Sequence, residues 1–256
     1  MPVLEFDNCT LEYQIGDCLE LMKDIPDKSI DMILCDLPYG TTACSWDTII
    51  PFEPLWEQYE RIIKDKGAIV LTSSQPFTTK LINSNIKHFK YAWVWDKALS
   101  GNIFLAEWQP MKIHEDIIVF CYEQPKYYPQ LIKQNKRKMK NNGMKESAIG
   151  DFKDYRGKTK TTPNPKTIIR FPNTDRKNIT HPTQKPVELF EYLIKTYSVE
   201  GDVVMDNCLG SGTTLLACRK TGRNGIGFEI NPDYEPIIRK RIMADTKTIW
   251  QFGGDA

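Results

Sequence analysis

The sequence predicts an α/β domain built on a largely parallel sheet with helices on its faces. Two observations carry this. Short apolar runs ending in turn residues alternate with amphipathic helical patterns, and two of those runs lead directly into loops rich in Asp, Gly and Pro. A third observation marks an interruption: between Lys126 and Ile179 the alternation stops, and Lys, Asn, Gly and Pro replace the apolar clusters.

Taken in order, Ile30 to Cys35 is short, apolar and followed by Asp-Leu-Pro-Tyr-Gly, so it reads as a buried strand running into a turn. Phe52 to Ile63 has Leu55, Tyr59, Ile62 and Ile63 on one helical face, and Gly67 is expected to end that helix. Ala68 to Leu71, Tyr91 to Trp95 and Asp116 to Tyr122 read as further strands. After the interruption, Pro186 suits the first turn of a helix whose buried face holds Val187, Leu189, Phe190, Leu193 and Ile194. A strand over Asp202 to Met205, a glycine-containing loop, a helix over Thr213 to Lys220 and a strand over Gly225 to Ile230 follow. A basic amphipathic helix from Tyr234 to Met243 closes the pattern. No repeat or low-complexity tract is visible.

Composition bounds the function. A chain of 256 residues, 41% hydrophobic and 26% charged, is ordinary for a globular protein with one substantial core. No apolar run approaches the ~20 residues that span a bilayer, and the N-terminus lacks the basic start and apolar stretch of a signal peptide. Seven cysteines, with no C-x-x-C, argue for free thiols in a reducing cytoplasm and against a disulfide scaffold or zinc ribbon. The net charge of +1 conceals an asymmetry. Lys126 to Lys177 holds 15 basic and 4 acidic residues, leaving 19 basic and 29 acidic elsewhere. An acidic body with one basic insert (126–178) points to a polyanionic partner docking at one place; a solvated loop is the alternative.

Two loops carry chemistry. Gly210-Ser211-Gly212 lies between a strand and a helix, with Glu229 at the end of the next strand, 19 residues past Gly210. That is the layout of a nucleotide-binding βαβ unit, with an acid placed for ribose hydroxyls. A dinucleotide fingerprint wants a third glycine where this chain has Leu215, and Asp206 would repel a pyrophosphate. S-adenosylmethionine has a ribose and an adenine but no phosphate, and its sulfonium and ammonium attract a carboxylate. The loop therefore favours S-adenosylmethionine over NAD. The second loop, Asp36-Leu37-Pro38-Tyr39, also follows a strand. An acidic acceptor, a rigid proline and an aromatic ring suit a planar base bearing an exocyclic amine. Asp36 and a backbone carbonyl can accept its two N–H bonds, while Tyr39 stacks on its face.

With these residues the chain resembles the amino-group DNA methyltransferases, in the permuted order that places the catalytic motif before the cofactor motif, with phage and prophage adenine enzymes most alike. Asp36-Leu-Pro-Tyr39 corresponds to the catalytic D-P-P-Y motif. Asp206-Asn-Cys-Leu-Gly-Ser-Gly212, continuing into Thr213, looks like the cofactor loop, and Gly227 to Tyr234, with Glu229, like its acidic partner. His181-Pro-Thr-Gln-Lys-Pro186 is similar to the segment that cradles the methionine end, which implies roles for Thr183 and Lys185. Gly16-Asp17-Cys18 resembles the element that contacts the cofactor adenine. Leu37 departs from the motif by replacing its first proline; it keeps the carbonyl and loses rigidity.

The resemblance implies a Rossmann-like, mostly parallel seven-stranded sheet in a single domain (1–256), with 126–178 inserted as a target-recognition region. It further implies methyl transfer from S-adenosylmethionine to N6 of a flipped-out adenine in double-stranded DNA, by a cytoplasmic monomer or homodimer. Lys136, Arg137, Lys138 and Lys140 are the expected phosphate contacts in the insert. Trp46 and Asp47 are expected near the flipped base, with a core Trp and a capping Asp as the alternative. Cytosine N4 or an RNA base is the alternative acceptor, and a non-catalytic DNA-binding module or an NAD oxidoreductase the alternative class. The histidines His88, His114 and His181 form no metal constellation, Cys208 and Cys218 read as small buried residues, and Tyr91, Trp93 and Trp95 read as core.

Overall fold

A computed structural model of the chain describes residues 3–40, 47–100, 103–131, 164–172 and 184–244. In chain order the elements are β1 (Val3–Phe6), β2 (Cys9–Ile15), α1 (Cys18–Leu21), β3 (Ile30–Cys35), α2 (Phe52–Ile62), β4 (Ile63–Ser73), α3 (Phe77–Ser84) and β5 (Phe89–Asp96). They continue with β6 (His114–Phe120), β7 (Ile168–Arg170), α4 (Val187–Tyr197), β8 (Val203–Asp206), α5 (Thr213–Thr221), β9 (Asn224–Glu229) and α6 (Glu235–Ala244). Among the described residues the strands form one nine-stranded sheet in the order β1-β2-β9-β8-β3-β4-β6-β5-β7. From β2 to β4 every pair is parallel, whereas β6 runs antiparallel to both β4 and β5. The predicted seven-stranded, mostly parallel sheet corresponds to β2 through β5, with short β1 and β7 added at its edges.

The central strands are buried on both sides, and their side chains alternate between two cores. Met32 and Leu34 of β3, Ala68 and Val70 of β4, and Ile117 and Val119 of β6 pack with Leu189, Leu193 and Ile194 of α4, Leu215 of α5 and Ile238 of α6. Their neighbours Ile33, Cys35, Ile69, Leu71, Ile118 and Phe120 pack on the opposite face with Met22, with Leu55, Trp56, Tyr59 and Ile62 of α2, and with Phe77 and Leu81 of α3. Period-2 strands facing 3.6-period helices on both faces give the predicted three-layer arrangement.

Several local expectations change. The helix over Phe52 ends at Ile62, and β4 begins at once, so Gly67 ends no helix. Gly67 sits instead inside a β-bulge where Ile30 pairs with Ile63 and Met32 with Ala68. A Cβ there would lie 2.7 Å from the Ile63 side chain and 2.8 Å from the Asp31 carbonyl oxygen. Strands β5 and β6 pair antiparallel, and the described residues between them hold only a short 3-10 turn (Ile103–Leu105) and no α-helix, so the strand–helix alternation fails locally. The chain divides into two compact units, Met1–Tyr128 with Thr167–Ala256, and Pro129–Lys166. Hence Ile168–Arg170, read as part of the insert, is an edge strand of the sheet, paired parallel with β5. Lys126, also counted with the insert, is held in the first unit by Asp31 at 3.3 Å and Asp202 at 3.7 Å. Only residues 129–131 and 164–166 of the second unit are described, so Lys136, Arg137, Lys138 and Lys140 lie outside the described residues. The aromatic residues of β5 are core as expected: Trp93 donates to the Tyr197 hydroxyl at 2.7 Å and Trp95 to the Phe171 carbonyl at 2.8 Å.

Candidate active site

Parallel pairing from β2 to β4 puts the carboxyl ends of five strands on one edge. The antiparallel β6 contributes its amino end there, and β5 its carboxyl end. The chain reverses its direction of travel across the sheet between β3 and β8, and open α/β sheets bind ligands at such a switch point. Asp36 follows directly on β3 and Asp206 is the last residue of β8, and both line one cavity of about 930 Å³. Of the sequence-predicted residues, Asp17, Cys18, Asp36, Leu37, Pro38, Tyr39, Asp47, Lys185, Asp206, Gly210, Ser211, Thr213 and Glu229 all line it. Gly212 lies just behind as the N-cap of α5, with φ +78°. Trp46 and Thr183 lie outside the described residues.

Around Asp36 the hydrogen bonding is dense. Its Oδ1 accepts from the Tyr39 hydroxyl at 2.9 Å and from the Thr72 hydroxyl on β4. Its Oδ2 accepts from Lys185 Nζ at 2.7 Å. The Tyr39 ring stacks on Phe77, with centroids 5.2 Å apart and planes at 25°, which fixes the ring orientation. Burial, with Asp36 and Glu115 nearby, pushes the Tyr39 hydroxyl well above the usual phenol range, so it remains a donor. Leu37 is 4% exposed and packs in the apolar cluster of α2 and α3. Side-chain packing thus supplies the rigidity that the missing proline would have given. Asp47 Oδ1 accepts from the Gly40 amide at 2.8 Å, so it closes the turn that follows Tyr39.

The cofactor loop is held by its own acids. Glu229 Oε2 accepts from the Gly210 amide at 2.7 Å, and Oε1 accepts from the Asn231 amide at 2.9 Å. A carboxylate has about four acceptor positions, so two remain for a diol. Asp206 is 2% exposed; it accepts from the Cys208 amide at 2.9 Å and from the Thr214 hydroxyl. Burial pushes its carboxyl up to about 6, against the opposing pull of those two hydrogen bonds. Asp17 caps α1 by accepting from the Leu19 amide at 2.8 Å, and the Gly16 amide donates to the Glu229 carbonyl at 2.8 Å, tying the ends of β2 and β9 together. Two acids, two positive-φ glycines (Gly210 and Gly212) and an apolar wall suit a cationic nucleoside without phosphates.

Lys185 is the largest surprise of position. The segment that carries it implies a place at the methionine end of the cofactor, whereas in the structure its ammonium bonds Asp36. Burial opposes its charge, but Asp36 and Glu115 outweigh burial and hold its pKa above that of an ordinary lysine. Three residues that no motif marks complete the cluster: Thr72, Glu115 and Lys97, the last bonded to Glu115 Oε1 at 2.8 Å. Their one signal is position, at the ends of strands that register alone brings to the same edge. Among the described residues no group of three or more His, Cys, Asp or Glu could hold a metal ion. Likewise, no described helix is long and apolar enough to cross a membrane.

The chain is similar to several known proteins. DNA adenine methyltransferase YhdJ of Escherichia coli K12 is 27% identical over 89% of this chain and 81% of its own length. The structure of M1.HpyAVI in complex with S-adenosylmethionine superposes with a TM-score of 0.61 at 21% identity, covering 90% of this chain and 99% of the other. The PvuII cytosine-N4-specific DNA methyltransferase gives a TM-score of 0.68 at 17% identity, covering 91% and 86%. At those identities the two structures establish the fold. A family model described as DNA methylase, spanning the N6 and N4 amino methyltransferases, matches residues 30–240. The chain therefore belongs to the N6/N4 DNA methylase family and is a DNA methyltransferase.

Proposed function

We propose that the protein methylates the N6 amine of adenine in double-stranded DNA, with S-adenosylmethionine as methyl donor and the base flipped out of the helix. The observation that carries the proposal is the shared cavity: the Asp36 carboxylate and the Gly210–Glu229 loop open into the same space at the switch point of the sheet. When bound, S-adenosylmethionine would supply an electrophilic methyl group.

The chain's own residues do the rest. An exocyclic amine is a weak nucleophile because its lone pair is delocalised into the ring. Asp36 and the Leu37 carbonyl accept its two hydrogens, which favours a pyramidal nitrogen with a free lone pair. The Asp36 carboxylate would also stabilise the positive charge that grows on nitrogen as the N–CH3 bond forms and the S–CH3 bond breaks, with S-adenosylhomocysteine as leaving group and the surplus N–H proton passing to Asp36 and then to solvent. Tyr39, fixed by Phe77, offers the stacking face, a contact worth ~1–3 kcal/mol per base. Holding the two reactants in line contributes much of the remaining acceleration. Glu229 binds the ribose of the cofactor, Asp206 faces its cationic end, and Asp17 and Cys18 contact its adenine. The inserted unit, Pro129–Lys166, supplies target recognition.

Adenine is favoured over cytosine by the likeness to YhdJ over most of both chains and by Asp at the head of the catalytic motif. A purine also offers more stacking area to Tyr39. Transfer of labelled methyl from S-adenosylmethionine to duplex DNA, followed by nucleoside analysis, tests this. N6-methyladenine is the expected product. N4-methylcytosine as the dominant product overturns the acceptor, and unlabelled DNA overturns the reaction.

A further inference from the structure

Three of the roughly four acceptor positions of Asp36 are taken by the protein's own donors. Its Oδ1 carries the hydroxyls of Tyr39 and Thr72, and its Oδ2 carries the Lys185 ammonium at 2.7 Å. An incoming amine would have to share Oδ2 with a full positive charge, and that charge opposes the one developing on the amine nitrogen. The Lys185 ammonium therefore competes with an amine for Asp36 Oδ2.

On the other side of Lys185, Glu115 Oε2 stands 3.5 Å from Nζ. That oxygen is buried and has no hydrogen-bond partner among the described residues. Its sister Oε1 is fixed by Lys97 Nζ at 2.8 Å, so the carboxylate is held still with one oxygen aimed at the lysine. The 3.5 Å ion pair with Lys185 is long for a hydrogen bond and leaves this buried oxygen under-satisfied. Closing the 3.5 Å gap by about 0.7 Å would bring the ammonium to charge-assisted hydrogen-bonding distance.

From this geometry we infer that Glu115 is a positioning residue that receives the Lys185 ammonium when a target amine takes its place on Asp36 Oδ2. Lys185 then works as a latch with two seats. On Asp36 it neutralises the carboxylate and keeps the empty site closed. On Glu115 it leaves Asp36 with its full charge facing the amine. The inference rests on the reading of Asp36 as acceptor for the target amine. In this role Glu115, which lines the same cavity, acts through Lys185.

The test is single-turnover methyl transfer at saturating S-adenosylmethionine and duplex DNA, comparing Glu115→Gln in two backgrounds, wild type and Lys185→Met. In the wild-type background the neutral amide is a weaker seat for the ammonium, and transfer should slow by about 10-fold while cofactor affinity, read by calorimetry, stays within twofold. In the Lys185→Met background there is no ammonium to receive, and Glu115→Gln should change the rate by less than about twofold. Equal slowing in both backgrounds would show a structural role and overturn the latch, as would no slowing in the wild-type background. Should Glu115→Gln prevent folding, Glu115→Asp, which retracts the oxygen, carries the same comparison. Failure of the wild-type protein to methylate any base amine would refute the reading of Asp36 itself, and the latch with it.

Discussion

At pH 8 the Asp206 carboxyl is ionised in a place that resists the charge. Burial raises it to about 6 from 3.8, so keeping it ionised costs the folded protein about 3 kcal/mol relative to low pH. The sign follows from the raised value: the folded state binds the proton more tightly than the unfolded state. The associated stability is present below about pH 4 and lost as pH rises through 6. Replacing Asp206 with Asn removes the ionisation. The amide oxygen can keep the bond from the Cys208 amide, and the Thr214 hydroxyl can turn to accept from the new N–H group. Allowing ~1 kcal/mol for weaker hydrogen bonds, the variant should gain about 2 kcal/mol at pH 8. For a chain of this length that is a rise of roughly 4–8 °C in Tm. Thermal unfolding of both proteins without cofactor, at steps from pH 4 to pH 8, should show the advantage growing between 4 and 6 and flat above 7. Under the proposed function, which sets Asp206 against the cationic end of S-adenosylmethionine, the same variant should bind that cofactor more weakly. A variant no more stable than wild type at pH 8, or a difference independent of pH, would refute the reasoning.

Glu229→Ala should weaken cofactor binding by ~1.5–3 kcal/mol, the value of a charge-assisted hydrogen bond, with an added loss from freeing the Gly210 amide. An unchanged dissociation constant by calorimetry removes Glu229 from the ribose. Neutralising Lys136, Arg137, Lys138 and Lys140 should lower DNA affinity and reduce the slope of log K against log salt by ~0.9 for each phosphate no longer neutralised. An unchanged slope would mean that this cluster is a solvated loop. S-adenosylmethionine affinity of the wild-type protein should rise as pH increases through about 6, because the cation favours ionised Asp206. A profile flat from pH 5 to 8 would place Asp206 away from the cationic end.

What the sequence disclosed was whatever is local. Ile30 to Cys35 and Val187 to Tyr197 declare themselves through apolar periodicity, and both functional loops are contiguous motifs bounded by a strand and a turn. What it withheld depends on register. Thr72 and Glu115 belong to strands whose pairing brings them to the Asp36 edge, and neither has a neighbour in sequence that marks it. Lys185 sits in a recognisable segment, yet its partner Asp36 is 149 positions away, so its seat could not be read locally. Gly67 misled because a glycine required by close packing in a bulge reads the same as one that stops a helix. Edge strand β7 was hidden by basic and polar neighbours, since a three-residue strand leaves too short a period to detect.

Under the proposed function, Asp36 drives methylation of a base amine. Sequencing genomic DNA with modified-base detection from cells producing the wild-type protein or Asp36→Ala tests it most directly. Wild type should leave N6-methyladenine at one recurring sequence, and Asp36→Ala should leave none while retaining S-adenosylmethionine binding within a few fold. Methylation persisting in Asp36→Ala at the wild-type sites would contradict the claim.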